Sequence, residues 1–193
     1  GEQASVAQLA WLYRVKQIAK ELLVPKYQES AARAALPRLR ALLSAPEEAR
    51  HVPRILQECG IRFVVVEALK SSKIDGVCLW LNEHSPVIGM TMRFDRMDNF
   101  WFVLRHELEH VLLGHGKVEP SLDFDLNEDV VDEEEKLANA AASEFCAPKA
   151  RIDSFIKRKA PIFPERDLLG LAAVLGVHPA LVAGQIQFTP GRT

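Results

Sequence analysis

Cysteine is scarce in these 193 residues: Cys59, Cys78 and Cys146 are odd in number, scattered, and form no CxxC pair. That argues against a disulfide framework and a thiolate zinc ribbon, and it suits a chain kept in reducing cytosol. Long apolar runs are missing too. None approaches the ~18 residues that a membrane span needs, and the N-terminus lacks the basic, apolar, small-residue order of a signal peptide. Nor is there a basic excess. Lys and Arg number 24 against 26 Asp and Glu, for a formal charge of -2, so direct nucleic-acid binding by the chain is not expected. Internal repeats are absent, and the one biased stretch is acidic. The opening is Gly1-Glu2 rather than Met, which leaves room for sequence upstream.

What is present suffices for a core: at 48% hydrophobic residues, a chain of this length can bury one core and a small lobe beside it. Apolar residues at helical spacing predict a helix over 5–23, a second over 27–43 with a break at Pro37, and a third over 46–59 stopped by Gly60. Composition turns β-branched and aromatic at 61–69. Asp75-Gly76 reads as a hairpin-type turn ahead of a strand at 77–81, and Ser85-Pro86 precedes another at 87–92. Three consecutive strands predict a small antiparallel meander. Asp98 or Asn99 is the expected N-cap of an apolar helix over 100–113, which Gly114 and Gly116 terminate. An aperiodic acidic loop follows at 117–130, then a helix from 131 to Pro148. Residues 165–175 and 180–186, joined by Gly176-Val177-His178-Pro179, read as helix, tight turn, helix. The expected class is α+β: a three-stranded antiparallel sheet on one apolar helix, with further helices on either side. Three segments result, helical 1–60, a core at 61–160, and a helical tail at 161–193.

The chemistry lies in His106-Glu107-Leu108-Glu109-His110. Residues four apart share one face of a helix, so both imidazoles can reach one tetrahedral cation, with zinc the expected metal. Glu107, beside that face, can accept a proton from water that the metal has acidified. A catalytic site needs a third protein ligand from elsewhere. Glu133, Glu134, Glu135 and Glu144 are the candidates. Glu135 is favoured because Ala138 and Asn139 share its helical face and are small enough to let that helix approach. His115 stands five residues past the motif and could be a ligand, a group behind one, or a transition-state donor. Arg105 and Asn139 are candidates to hydrogen-bond the ligands from behind, and His84 is a candidate donor between two strands.

Other features have plainer readings. The acids Glu119, Asp123, Asp125, Glu128, Asp129, Asp132, Glu133 and Glu134 are expected to form a solvated mobile loop. Arg33, Arg38, Arg40, Arg50 and Arg54 read as an amphipathic exterior rather than a phosphate-facing stripe. The strand at 87–92 could offer an edge for an extended substrate, with ordinary sheet pairing as the alternative.

Several segments resemble the ImmA/IrrE family of metallopeptidases: Ile74-Asp75-Gly76, Pro86-Val87-Ile88, the run from Asn99 through His106-Glu107-Leu108-Glu109-His110 to Gly114-His115, and Glu135-Lys136-Leu137-Ala138-Asn139 onward to Ala147-Pro148. The resemblance spans residues 61–148. It implies a zincin-like fold, a zinc site of two His and one Glu mapping onto His106, His110 and an acid at the start of the second helix, and cytoplasmic proteolysis of a DNA-binding repressor. The tail from Leu171 to Gln187 is similar to members fused to a helix-turn-helix or described as HigA-like antitoxins, implying a repressor or antitoxin as partner. A regulatory zinc module that cuts nothing is the other reading. Two departures stand out: Glu109 where the family commonly has glycine, and Ser143-Glu144-Phe145-Cys146-Ala147 in place of a more apolar run.

Overall fold

The computed structural model describes residues 5–70, 72–117, 120–124 and 133–188. Among them the elements run α1 (Val6–Glu21), α2 (Glu29–Ala41), α3 (Val52–Glu58), β1 (Arg62–Val65), β2 (Ile74–Trp80), β3 (Pro86–Met90), α4 (Met97–Leu113), β4 (Ser121–Phe124), α5 (Glu133–Cys146), α6 (Lys149–Lys159), α7 (Glu165–Leu175) and α8 (Pro179–Gln187). The α+β class is as expected. Glu119, Asp125, Glu128, Asp129 and Asp132 of the acidic stretch lie outside the described residues.

The sheet differs from the expected meander. Among the described residues it has four strands, in the order β1-β3-β2-β4. β2 and β3 do form an antiparallel hairpin, from Gly76 opposite Met90 to Trp80 opposite Pro86. β1 instead runs parallel to β3, with Arg62 opposite Val87 and Val65 opposite Met90. β4 adds antiparallel to the far side of β2 from within the stretch read as loop. β3 is therefore interior: of the two readings of 87–92, ordinary sheet pairing holds and β3 offers no free edge. Composition signals that a segment is extended; which neighbour it joins depends on where its side chains can be buried.

Both faces of this sheet are covered, so β3 is buried throughout and β2 along nearly all its length, without the alternation of a half-exposed strand. Ser5 opens α1 with a capping box to Gln8. Trp11, Leu12, Val15 and Ala19 of α1 then pack on Val64, Ile74, Val77, Leu79 and Val87. The opposite face, with Cys78, Ile88 and Met90, joins the larger core built on Trp101, Leu104 and Leu108 of α4. Each large apolar side chain so buried contributes about 1.5–3 kcal/mol. Residues of all three sequence segments, such as Ala32, Trp101 and Leu181, meet in that core.

Asp75-Gly76 is not a turn: both residues lie inside β2. Asp75 is buried there because Arg93 meets it at 3.1 Å, which offsets the cost of taking a carboxylate out of water. The pairing of β2 with β4 is irregular between Ile74 and Gly76. This break in alternation lets Ile74 and Val77 both face α1 while Gly76 faces α4.

α4 is buried on nearly every side, as a helix apolar around most of its circumference should be. It begins at Met97, not at residue 100. Arg96 holds the cap position, and Asp98 lies inside the first turn, where its charge complements the helix dipole and accepts hydrogen bonds of 3.0 and 2.6 Å from Arg96. Against α4 lies α5, brought close by the fully buried Ala138 and Ala142. Pro37 lies within α2 without breaking it. The arginines of this region are committed. Arg33 pairs with Glu29, Arg38 and Arg54 share Glu58, and Arg40 donates to the carbonyls of Phe145 and Cys146 at the end of α5. Among the described residues no single helix is long and apolar enough to cross a membrane; α7 and α8 are bent by 111° at their junction, within the range of helix-turn-helix pairs.

Candidate metal centre

His106 and His110 lie one helical turn apart on α4, both with no solvent exposure, and the first turn of α5 brings Glu135 over them. The two Nε2 atoms are 3.0 Å apart. Glu135 spans them, with Oε2 at 3.1 Å from His106 Nε2 and Oε1 at 3.2 Å from His110 Nε2. Ligands at the usual zinc distances on tetrahedral vertices are separated by about 3.3 Å. The donors are thus spaced as a small tetrahedral cation requires. They are the one such cluster among the described residues, and they could hold a metal ion.

Electrostatics agree with the spacing. Burial pushes the Glu135 carboxyl upward, but its contacts with the His106 and His110 imidazoles outweigh that and hold the group well below the ordinary carboxylate range. An anion therefore faces the two rings. Asn139, one turn along α5, places Oδ1 2.9 Å from His106 Nδ1. An amide oxygen can only accept, so Nδ1 carries the proton and Nε2 keeps its lone pair for a metal.

Glu107 has no exposure to solvent and turns toward the sheet. Its carboxylate lies on Gly76 of β2, where a Cβ would stand 2.1 Å from Oε1 and 2.9 Å from both Cδ and Val103 Cγ1. Only a glycine leaves room for that carboxylate beside the metal helix.

The remaining candidates go elsewhere. Glu133 pairs with Lys136 at 2.6 Å, and Glu144 accepts from the Lys149 backbone N–H at 2.9 Å. Glu134 reaches His115 at 3.4 Å. His115 is not among the clustered donors; its Nδ1 is 2.9 Å from Nδ1 of His110, on the side of that ring away from Glu135. Arg105 does not back the ligands. It pairs with Glu109 at 2.6 Å and lies over the Phe145 ring. That pair also accommodates the glutamate where the family commonly has glycine. His84 is exposed in the β2–β3 turn, its backbone tied to Asn82 and Tyr27. His178 caps α8 by accepting from Ala180 N–H at 3.2 Å.

In the sequence Gly76 reads as part of a turn, because Asp-Gly is so strong a turn signal, whereas it lies inside β2. The seat it forms for Glu107 depends on a contact between strand and helix that no local pattern encodes.

Comparison with curated proteins gives no match to the chain. Among protein-family models, the one described as the IrrE N-terminal-like domain, of the M78 peptidases, matches residues 57–184. That stretch holds the sheet, the metal helix, α5 and most of the helical tail. The chain belongs to the M78 peptidase family of IrrE N-terminal-like domains.

Proposed function

We propose that the protein is a zinc-dependent endopeptidase that cuts a protein partner in the cytoplasm, the partner being a DNA-binding repressor or an antitoxin. The single observation that carries the catalytic reading is the trio of buried His106 and His110 with half-buried Glu135, and Glu107 buried beside the two histidines on their helix. Bound there, zinc supplies Lewis acidity that polarises a peptide carbonyl and acidifies water. Glu107 takes the proton from the attacking water and returns it to the leaving amine. Its buried seat against Gly76 holds the carboxylate in one place, so little reorganisation accompanies the transfer. His106 and Glu135 hold their donor atoms through Asn139 and the α4–α5 packing.

Support for the compartment comes from three buried cysteines, none of them joined in a disulfide. Support for a protein partner comes from the family, whose match runs into α8. Residues 168–187 carry no Lys or Arg, so the α7–α8 pair suits packing or partner recognition better than DNA phosphates.

The test is Glu107→Gln. An extract of the source cells, treated with zinc-loaded protein and labelled at new N-termini, should show cut sites with the wild type and none with the variant, which still binds one zinc. Identical new termini from both proteins would refute the assignment of Glu107. No cutting by the zinc-loaded wild type would favour the regulatory module.

A further inference from the structure

α4 does not simply stop at Gly114; it folds its next residue back beneath the metal face. Gly114 has φ +75, and its N–H donates to Val111 O at 3.1 Å while His115 N–H donates to His110 O at 2.9 Å. These are the two bonds of a Schellman motif, which sets the second residue past the helix against the residue five positions earlier. Commonly that contact is apolar. Here it joins two imidazoles, with His110 Nδ1 2.9 Å from His115 Nδ1. The turn is then clamped to the sheet: His115 O accepts from Trp80 Nε1 at 2.7 Å, and Gly116, at φ +74, approaches Cys78 so closely that a Cβ would lie 2.5 Å from its carbonyl oxygen.

A hydrogen bond between two imidazole nitrogens needs one proton, carried by one of them. If His110 carries it on Nδ1, Nε2 keeps the lone pair that faces Glu135 and His106. If His115 Nδ1 carries it, a neutral His110 must place its own proton on Nε2, in the middle of the donor cluster. We propose that His115 is a positioning residue: its Nδ1 accepts the proton of His110, fixing that ring in the form that binds metal and holding its orientation through the turn clamped by Trp80. Asn139 does the same for His106 from α5. The two rings are thus set by different elements, one by a neighbouring helix and one by the stop signal of their own. Glu134 is farther from the His115 nitrogen, at 3.4 Å, and is 56% exposed, so water screens its pull on that proton.

The inference rests on the metal-centre reading, and zinc affinity separates the two. Full-length wild type, His115→Leu and His115→Asn are titrated with zinc against a chromophoric chelator, with apo-protein circular dichroism and thermal melts as the check on folding. His115→Leu should weaken zinc binding by about 10–100-fold, the usual cost of removing a group behind a metal-binding His. His115→Asn, whose amide oxygen can accept the same proton, should recover most of that loss. Long-range ¹H–¹⁵N correlation spectra of the zinc-loaded wild type should show His110 protonated on Nδ1 and His115 on Nε2, a readout that needs no variant to fold. Wild-type affinity in a folded His115→Leu, an Asn variant as weak as Leu, or the opposite pair of tautomers would each overturn the role of His115. Failure of the wild type to bind zinc would sink the metal centre itself.

Discussion

Replacing Gly76 with alanine asks whether the seat of Glu107 matters. The glycine carries no positive φ, so its backbone tolerates alanine, and the effect is one of space alone. The new Cβ would stand 2.1 Å from Glu107 Oε1 where real contacts stay beyond 3.0 Å, so carboxylate or strand must give by at least about 0.9 Å. Val103 Cγ1, at 2.9 Å from the same point, blocks an easy sideways move. Displacing a reacting group by about 1 Å costs on the order of 100-fold in rate, or about 2.7 kcal/mol of barrier. Overpacking should also lower stability by about 1–3 kcal/mol, against the about 0.4–1 kcal/mol that Gly→Ala otherwise contributes through the unfolded chain. The assay is the initial rate at a cut site found by N-terminal labelling, alongside zinc stoichiometry. Gly76→Ala should bind one zinc and cut about 100-fold more slowly, with Glu107→Gln as the floor. Wild-type cutting by Gly76→Ala while Glu107→Gln is inactive would show that the carboxylate does not depend on this seat.

Other consequences concern the supports of the site. Ala138→Leu, placed in the fully buried contact between α5 and α4, should destabilise the fold by about 1–3 kcal/mol. It should also weaken zinc binding, because Glu135 stands one turn away; a melt and a chelator competition read both. Arg40→Met keeps the stem but removes the hydrogen bonds to the carbonyls of Phe145 and Cys146, and denaturant unfolding should register a loss of about 1.5–3 kcal/mol. Hydrogen bonds from Arg38 and Arg54 hold the Glu58 carboxyl below its ordinary range. Its folded pKa is depressed, so its contribution is present above the unfolded pKa and disappears as pH falls through the folded value. Melting temperatures of the wild type and Glu58→Gln should therefore differ at neutral pH and converge in acid; a gap that persists in acid would refute the pairing.

Legibility followed the range of the interactions. Helical spacing is a local property, so the metal helix and the pairing of His106 with His110 could be read directly. The sequence favours Glu135 because Ala138 and Asn139 share its face and are small, and Ala138, three residues on, is fully buried where α5 meets α4. Asn139 was singled out with it and does hold His106. Arg105 and His84 have the right chemistry in the wrong places, since side-chain type says nothing of direction.

What the chain determined by itself is the metal-binding pattern, because two imidazoles and a carboxylate on one helix need only the 3.6-residue turn to be arranged. Tertiary structure alone decided the sheet order, the glycine seat under Glu107 and the turn that returns His115 to His110. Each of these needs segments far apart in sequence, or a backbone stop in a particular conformation, to be held together by the burial of apolar surface, and no window of residues carries that information.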